Sequence, residues 1–166
     1  MKRESWIWIG LGSAAGAVLL FGRRLGAPVE VSGAPEVTSH GFFGADRAGP
    51  PAHQHQGVDL VAPAGSHVLA VGDGVIIAAN PGLGKIVRVL QLDTPGGWGL
   101  GRRVYRIVYA DLGTQLVEPG DRVRKGDPIA LVAKAGFIHF AVKEHRSGGD
   151  VFIDPREAGF SYREVT

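Results

Sequence analysis

The chain has 166 residues, enough for one domain of ordinary size and a short additional segment. It is 45% hydrophobic with 26 glycines and 10 prolines, which favours a globular, turn-rich protein over a mostly helical one. Its net charge is +2, but residues 1–24 contribute +3, so the other 142 residues are net −1 and lack the basic surface of a nucleic-acid-binding domain. Without cysteine, disulfides and thiolate sites are excluded, and any metal must be bound by His, Asp or Glu.

Residues 1–24 have the pattern of a membrane anchor. An uncharged run over residues 6–21 is followed by Arg23 and Arg24. As a helix, this run covers about 24 Å of a hydrocarbon core of about 30 Å, so its flanking side chains would have to reach the interfaces. The arginines, with the bulky Leu25 and with Pro28, disfavour cleavage near Ala27. We therefore expect one N-terminal transmembrane helix that is retained, as an anchor or an uncleaved signal.

Residues 25–36 are rich in Gly, Pro, Ala and Val without helical periodicity, and this predicts a linker. A domain is expected over residues 37–160, followed by a tail at 161–166. Within it, short runs of β-forming residues alternate with turn residues, and no stretch has the pattern of an amphipathic helix of three turns. The predicted strands are residues 67–71, 74–79, 85–92, 104–110, 129–132 and 138–142, with a glycine-rich loop at 93–101. The predicted fold class is all-β, built from antiparallel hairpins.

Residues 55–59 place an imidazole and a carboxylate four positions apart, in His55 and Asp59, with Gly57 between them. Both groups are good ligands for a divalent metal such as zinc. In a straight strand they would be roughly 13 Å apart, too far to share one ion. The chain must therefore bend, and Gly57 is the residue that permits the bend.

His139 is a candidate third ligand. It lies in the predicted strand 138–142, where alternation places His139, Ala141 and Lys143 on one face and Ile138, Phe140 and Val142 on the other.

Five segments in order resemble the lysostaphin-type zinc peptidases, the LytM-like domains that cut peptide cross-links in bacterial cell walls. Residues 55–65 fit the run His-x-Gly-x-Asp-hydrophobic-x-Ala-Pro-x-Gly of that family. The resemblance covers most of residues 38–156. Its other segments are residues 68–76, 108–112, 117–127 and 138–142.

The resemblance implies a fold and a metal site. The fold is the antiparallel LytM-like type with a duplicated hybrid motif. The implied zinc ligands are His55, Asp59 and His139, which leaves a fourth position for water, as in catalytic zinc sites. The implied substrate is a peptidoglycan peptide, and the domain would face the cell wall from its membrane anchor, on the periplasmic or extracytoplasmic side or from a virion membrane.

Two positions depart from the family pattern. The family has a Tyr-x-His element where this chain has Tyr109-Ala110-Asp111, and a His-x-His pair whose first member falls on Phe137. The resemblance implies that these missing histidines activate water and stabilise the oxyanion. General-base help is worth about 10²- to 10⁴-fold and one oxyanion donor about 10²- to 10³-fold in rate.

Asp111 is the candidate replacement, because a carboxylate beside the metal could act as the base. It could instead bind the metal as a fourth ligand and close the site. His53 is a second candidate, although a solvated side chain is the favoured interpretation of His53. Two functions therefore remain open: a zinc metalloendopeptidase with impaired catalysis, or a non-hydrolytic module that binds wall peptide or positions a partner hydrolase.

Overall fold

The computed structural model describes residues 25–48, 52–80, 89–96 and 103–164. These residues form short strands and one 3₁₀ helix (Pro155–Ala158), which confirms the all-β prediction. The strands are β1 (Glu36–Val37), β2 (Asp46–Arg47), β3 (His53–Gln54), β4 (Val58–Val61), β5 (His67–Leu69), β6 (Gly74–Asn80), β7 (Val89–Gly96), β8 (Arg103–Ala110), β9 (Leu112–Gln115), β10 (Arg122–Val123), β11 (Pro128–Val132), β12 (Phe137–Arg146), β13 (Gly149–Ile153) and β14 (Arg163–Glu164).

The strands form three sheets in the described part of the chain. The large sheet has the order β10-β6-β7-β8-β12-β4-β1-β14, and β13 also pairs with β12. A small sheet has the order β5-β11-β9, and β2 pairs with β3 as a separate hairpin. Apart from the parallel pair β1–β14, the strand pairs described are antiparallel.

One hydrophobic core draws on both the large and the small sheet. From β12, Ile138, Phe140 and Val142 are fully buried, whereas His139 is only partly buried. The predicted alternation therefore holds at these positions, although Ala141 is buried as well. Because β12 lies between β4 and β8, its inner face fills the core and its outer face carries His139.

The predicted glycine-rich loop at residues 93–101 was partly wrong. Residues 93–96 belong to β7 and pair with β8, with Thr94 opposite Tyr105. Asp93 pairs with both β6 and β8, and residues 94–96 pair with β8, so cross-strand pairing outweighs the turn-forming composition of this segment, a tertiary effect that local sequence does not reveal. The remainder of the loop, and residues 85–88 of the predicted strand, lie outside the described residues.

The segments flanking the predicted domain also contact it. Val29 is buried and forms a bridge with Val68, and Arg163 in β14 pairs with Glu36 in β1. Contacts therefore continue beyond residues 37–160, while the division into linker, domain and tail stays a prediction.

The predicted transmembrane helix at residues 1–24 lies outside the described residues. Within the described ranges, no helix has the length and apolar character needed to cross a bilayer.

Candidate metal centre

The three predicted ligands meet at one point of the large sheet. Asp59 in β4 lies directly opposite His139 in β12 in antiparallel register, so their side chains share one face. His55 reaches the same point because the chain bends at residues 56–57, between β3 and β4. The bend that the sequence predicts is therefore present.

The facing atoms form a small triangle. His55 Nε2 lies 2.9 Å from His139 Nδ1, His139 Nδ1 lies 3.0 Å from Asp59 Oδ1, and His55 Nε2 lies 3.3 Å from the same oxygen. Tetrahedral zinc with bonds of about 2.0–2.1 Å places its ligand atoms about 3.3 Å apart. In both chemistry and spacing, these three residues could hold a metal ion.

The tautomer of His55 also suits a ligand. Its Nδ1 lies 3.1 Å from the carbonyl oxygen of Phe42, and a carbonyl can only accept, so Nδ1 carries the proton and donates. The lone pair is then on Nε2, which faces the triangle. A ring fixed in this way by a backbone carbonyl is the usual arrangement of metal-binding histidines.

Gly57 leaves the space that the His139 ring occupies. A Cβ at this position would lie 2.6 Å from His139 Cε1 and 2.7 Å from the carbonyl oxygen of Phe140, closer than real contacts allow. Gly57 is not among the glycines with positive φ, so close approach is the main reason for a glycine here.

Backbone atoms of residues 38–45, which precede β3, hydrogen-bond to the backbone of two of the three residues. Asp59 donates its backbone N–H to the Gly41 carbonyl at 2.8 Å and accepts from the Thr38 N–H at 3.0 Å. His55 exchanges backbone hydrogen bonds with Ala45 and Gly44, at 2.8 and 2.9 Å. The positions of His55 and Asp59 are therefore set by backbone contacts as well as by the sheet.

Arg47 contacts the second oxygen of the Asp59 carboxylate. Its Nη2 donates to Asp59 Oδ2 at 2.6 Å. Burial alone would raise the pKa of Asp59, but the hydrogen bonds that it accepts, chiefly from His139 and also from Arg47, outweigh burial and hold that pKa well below its usual range. Asp59 is therefore ionised at neutral pH. Sequence reasoning missed Arg47, and no motif in the chain indicates it.

Asp111 lies beside the triangle without joining it. It links β8 to β9 at the corner where the chain leaves the large sheet, with φ at 58°. Burial raises the pKa of its carboxyl, His139 lowers it, and the charge of Asp59 raises it. Among the described residues, only His55, Asp59 and His139 bring ligand atoms within 4.8 Å of one another. Asp111 is outside this group, and its role as a base or as a fourth ligand stays a prediction.

A cleft of about 540 Å³ opens over the triangle. Phe137 shares the outer face of β12 with His139 and lines this cleft, as do Asp111, Arg47 and the exposed His53. The family pattern has a histidine at each of the positions that Asp111 and Phe137 occupy here, and both positions border this cleft. The remaining histidines, His40, His67 and His145, are exposed and do not line it.

Comparison with known proteins decides the family. The model of Peptidase family M23 matches residues 53–151, more than half of the chain. The chain belongs to this family. The identification as a lysostaphin-type, LytM-like domain is confirmed.

Solved structures share the fold. A zinc-containing peptidase from Vibrio cholerae matches with a TM-score of 0.58 and 24% identity over 84% of this chain and 40% of that one. The antimicrobial peptidase lysostaphin from Staphylococcus simulans gives 0.53 and 20%, over 84% and 56%. A structure of a SpoIIIAH and SpoIIQ complex gives 0.55 and 21%, over 81% and 99%. The chain thus spans less than two thirds of both peptidase structures.

Proposed function

We propose that this chain is a zinc metalloendopeptidase that acts on the peptide cross-links of peptidoglycan. The observation that carries the proposal is the triangle of His55 Nε2, Asp59 Oδ1 and His139 Nδ1 beneath an open cleft. Three protein ligands and an open side are the arrangement of catalytic zinc, whereas structural zinc has four protein ligands.

His55, Asp59 and His139 would hold the zinc. When bound, the metal supplies Lewis-acid activation of water and of the peptide carbonyl. The protein contributes fixed ligand geometry: the Phe42 carbonyl orients His55, and the Thr38 and Gly41 backbone holds the strand that carries Asp59. This preorganisation removes the need to rearrange the site during the reaction.

Asp111 is the proposed general base. It borders the cleft, and no residue that the structure describes hydrogen-bonds to its carboxylate, which leaves both oxygens available to a water molecule. Without metal, burial raises the pKa of this carboxyl; its place at the edge of the cleft is what fits it to accept a proton from a water molecule.

Phe137 and Val61 supply an apolar surface beside the triangle. They lie opposite each other in the β4–β12 register, two positions from the pair Asp59 and His139, so they continue the same face. Val61 is 41% exposed. An extended peptide lying over this surface would place a backbone carbonyl near the ligand triangle.

A non-hydrolytic binding module is the second candidate. The observation in its favour is that Asp111 and Phe137 border the cleft where the family pattern has histidines, and neither can donate a hydrogen bond to an oxyanion at neutral pH. Such a module would grip wall peptide or position a partner hydrolase. The SpoIIIAH and SpoIIQ structure shows this fold in a protein complex.

The N-terminal segment supports a location at a membrane. Residues 1–24 carry an apolar run between charged ends, which fits an anchor that presents the domain to the cell wall.

Digestion of purified peptidoglycan tests the proposal. The full chain in detergent, supplied with zinc, should release new amino termini. Asp111→Asn should lower the rate by about 10²- to 10⁴-fold, the usual contribution of a general base, while zinc content stays unchanged. If the zinc-loaded chain binds peptidoglycan and releases no amino termini between pH 5 and 9, the binding module replaces the enzyme.

A further inference from the structure

Arg47 contacts one oxygen of Asp59, and the two histidines contact the other. The guanidinium lies 2.6 Å from Oδ2, whereas Oδ1 lies 3.0 Å from His139 Nδ1 and 3.3 Å from His55 Nε2. The two oxygens of the carboxylate therefore have different partners. One oxygen faces the ligand triangle, and the other is held away from it.

This ion pair is more shielded from solvent than an ordinary surface pair. The Arg47 and Asp59 side chains are 31% and 14% exposed, whereas Arg163 and Glu36, at 2.8 Å, are 63% and 50% exposed. Exposed pairs hold a side chain weakly, because water and salt screen them. The Arg47 contact has the distance of a strong charge-assisted hydrogen bond, which fixes orientation as well as charge.

Arg47 and His55 are also carried by one structural unit. Arg47 in β2 is paired with His53 in β3, and His55 follows β3 directly. A shift of this hairpin would therefore move a metal-binding ring and the arginine together. The hairpin thus couples His55 to Asp59 through Arg47.

We propose that Arg47 is a positioning residue for the metal centre. It holds Asp59 as a ligand through Oδ1 alone, and so keeps a coordination position open that a carboxylate bound through both oxygens would fill. This inference rests on the metal site of the proposed function but not on hydrolysis.

Simple electrostatics and the proposal predict opposite effects of removing Arg47 on metal binding, so one measurement decides between them. A guanidinium repels a nearby dication, so an arginine that acted only through its charge would weaken metal binding, and its removal would tighten it. If Arg47 acts by orienting Asp59, its removal should weaken binding, typically by about 10- to 100-fold for a residue that orients a ligand.

The experiment measures zinc dissociation constants of the full chain in detergent by competition with a chelator. We expect Arg47→Ala to weaken zinc binding by about 10- to 100-fold and Arg47→Lys, which keeps the charge but not the planar fork, to give a smaller loss. Arg163→Ala, which breaks the exposed pair with Glu36, is the matched control and should bind zinc as the unaltered chain does.

Cobalt(II) in place of zinc gives a second readout. Four-coordinate cobalt absorbs visible light more strongly than five-coordinate cobalt, so Arg47→Ala should weaken the absorption per bound ion as Asp59 becomes free to bind through both oxygens. In the metal-free chain, the losses in free energy of unfolding from Asp59→Asn and Arg47→Ala should not add, since the two changes remove one interaction.

Unchanged or tighter zinc binding by Arg47→Ala, with an unchanged cobalt spectrum, would overturn the inference. If Arg47→Ala does not fold, Arg47→Lys replaces it as the test. A zinc affinity of Arg47→Lys equal to that of the unaltered chain would also overturn the inference. A chain that binds zinc and shows the Arg47 effect without cutting peptidoglycan would keep this inference and refute the hydrolytic function. A chain that binds no zinc would refute both.

Discussion

Strand β12 carries two histidines that each contact an aspartate, which in turn contacts an arginine. The inner cluster is His139, Asp59 and Arg47, and the outer cluster is His145, Asp150 and Arg106. The histidine–aspartate distance is 3.0 Å in both, and the arginine–aspartate distances are 2.6 and 2.8 Å. By pairwise geometry alone, the two are nearly identical.

Burial and a third residue able to bind a metal distinguish the two clusters. The inner cluster is joined by the buried His55, while the His145 side chain is 65% exposed. Among the described residues, only the inner group assembles three atoms that could bind a metal. A His–Asp–Arg chain is therefore not itself a metal site, and the second histidine, which comes from the segment between β3 and β4, makes the difference.

Removal of a histidine from each cluster should give the largest contrast. We expect His55→Ala to lose stoichiometric zinc, because two protein ligands do not hold the ion. His145→Ala should keep it. Elemental analysis after dialysis checks both variants, and equal zinc loss from the two would place the metal elsewhere.

Substitution of a glycine near each cluster should give the second-largest contrast, in both stability and zinc binding. Gly57→Ala places a methyl group 2.6 Å from His139 Cε1, and overpacking of this kind costs about 1–3 kcal/mol. It should also weaken zinc binding by displacing the ring. Gly148→Ala, where a Cβ meets nothing within 4 Å, should change neither quantity. Chemical denaturation and chelator competition measure both effects, and a Gly57→Ala chain as stable as the original would contradict the close approach.

The two aspartates should differ in the pH dependence of stability without metal. Hydrogen bonds hold the pKa of Asp59 down despite its burial. Its contribution to the free energy of unfolding is therefore present above the unfolded pKa of about 3.9 and disappears as the pH falls through the lower folded pKa. We expect Asp59→Asn to cost about 1–3 kcal/mol at pH 7, as loss of a charged hydrogen bond does. The loss should shrink toward pH 2.

Asp150→Asn is the comparison for this measurement. The pKa of Asp150 is also lowered, chiefly by its hydrogen bond with His145, but the cluster is solvated and the loss at pH 7 should stay below about 1 kcal/mol. Denaturation of the metal-free chains across pH tests the pair. Equal losses for both aspartates would show that burial does not separate the clusters.

The smallest expected effect is at Asp111, and it has the opposite sign. Burial raises the pKa of this carboxyl, so ionisation costs stability above the folded pKa and costs nothing below the unfolded value of about 3.9. Asp111→Asn should therefore stabilise the metal-free chain slightly at pH 7 and have no effect near pH 3. Destabilisation at pH 7 would indicate that the carboxylate has a structural role.

Much of the site could be predicted because its candidate ligands lie in short, ordered motifs. The spacing of His55 and Asp59 predicts a bend, and strand alternation predicts the outward face of His139; both are present in the structure. The all-β class follows in the same way from short β-forming runs between turn residues.

Other features depend on contacts between distant residues. Arg47 meets Asp59 only because the β2–β3 hairpin folds back, and no local pattern reports a contact across twelve positions. Val29 enters the core through its bridge to Val68, although its surroundings have the composition of a linker. Gly57 was predicted for its backbone freedom, and its need for space became clear only when His139 was positioned against it.

The corner at Asp111 limits which side chains can occupy that position. Its φ of 58° lies in a region where asparagine, aspartate and histidine are several-fold enriched among residues other than glycine. The aspartate here and the histidine of the family pattern both belong to that short set. The φ of Asp111 therefore favours a small set of polar side chains, and an exchange within that set would alter the chemistry at this corner without requiring a new backbone.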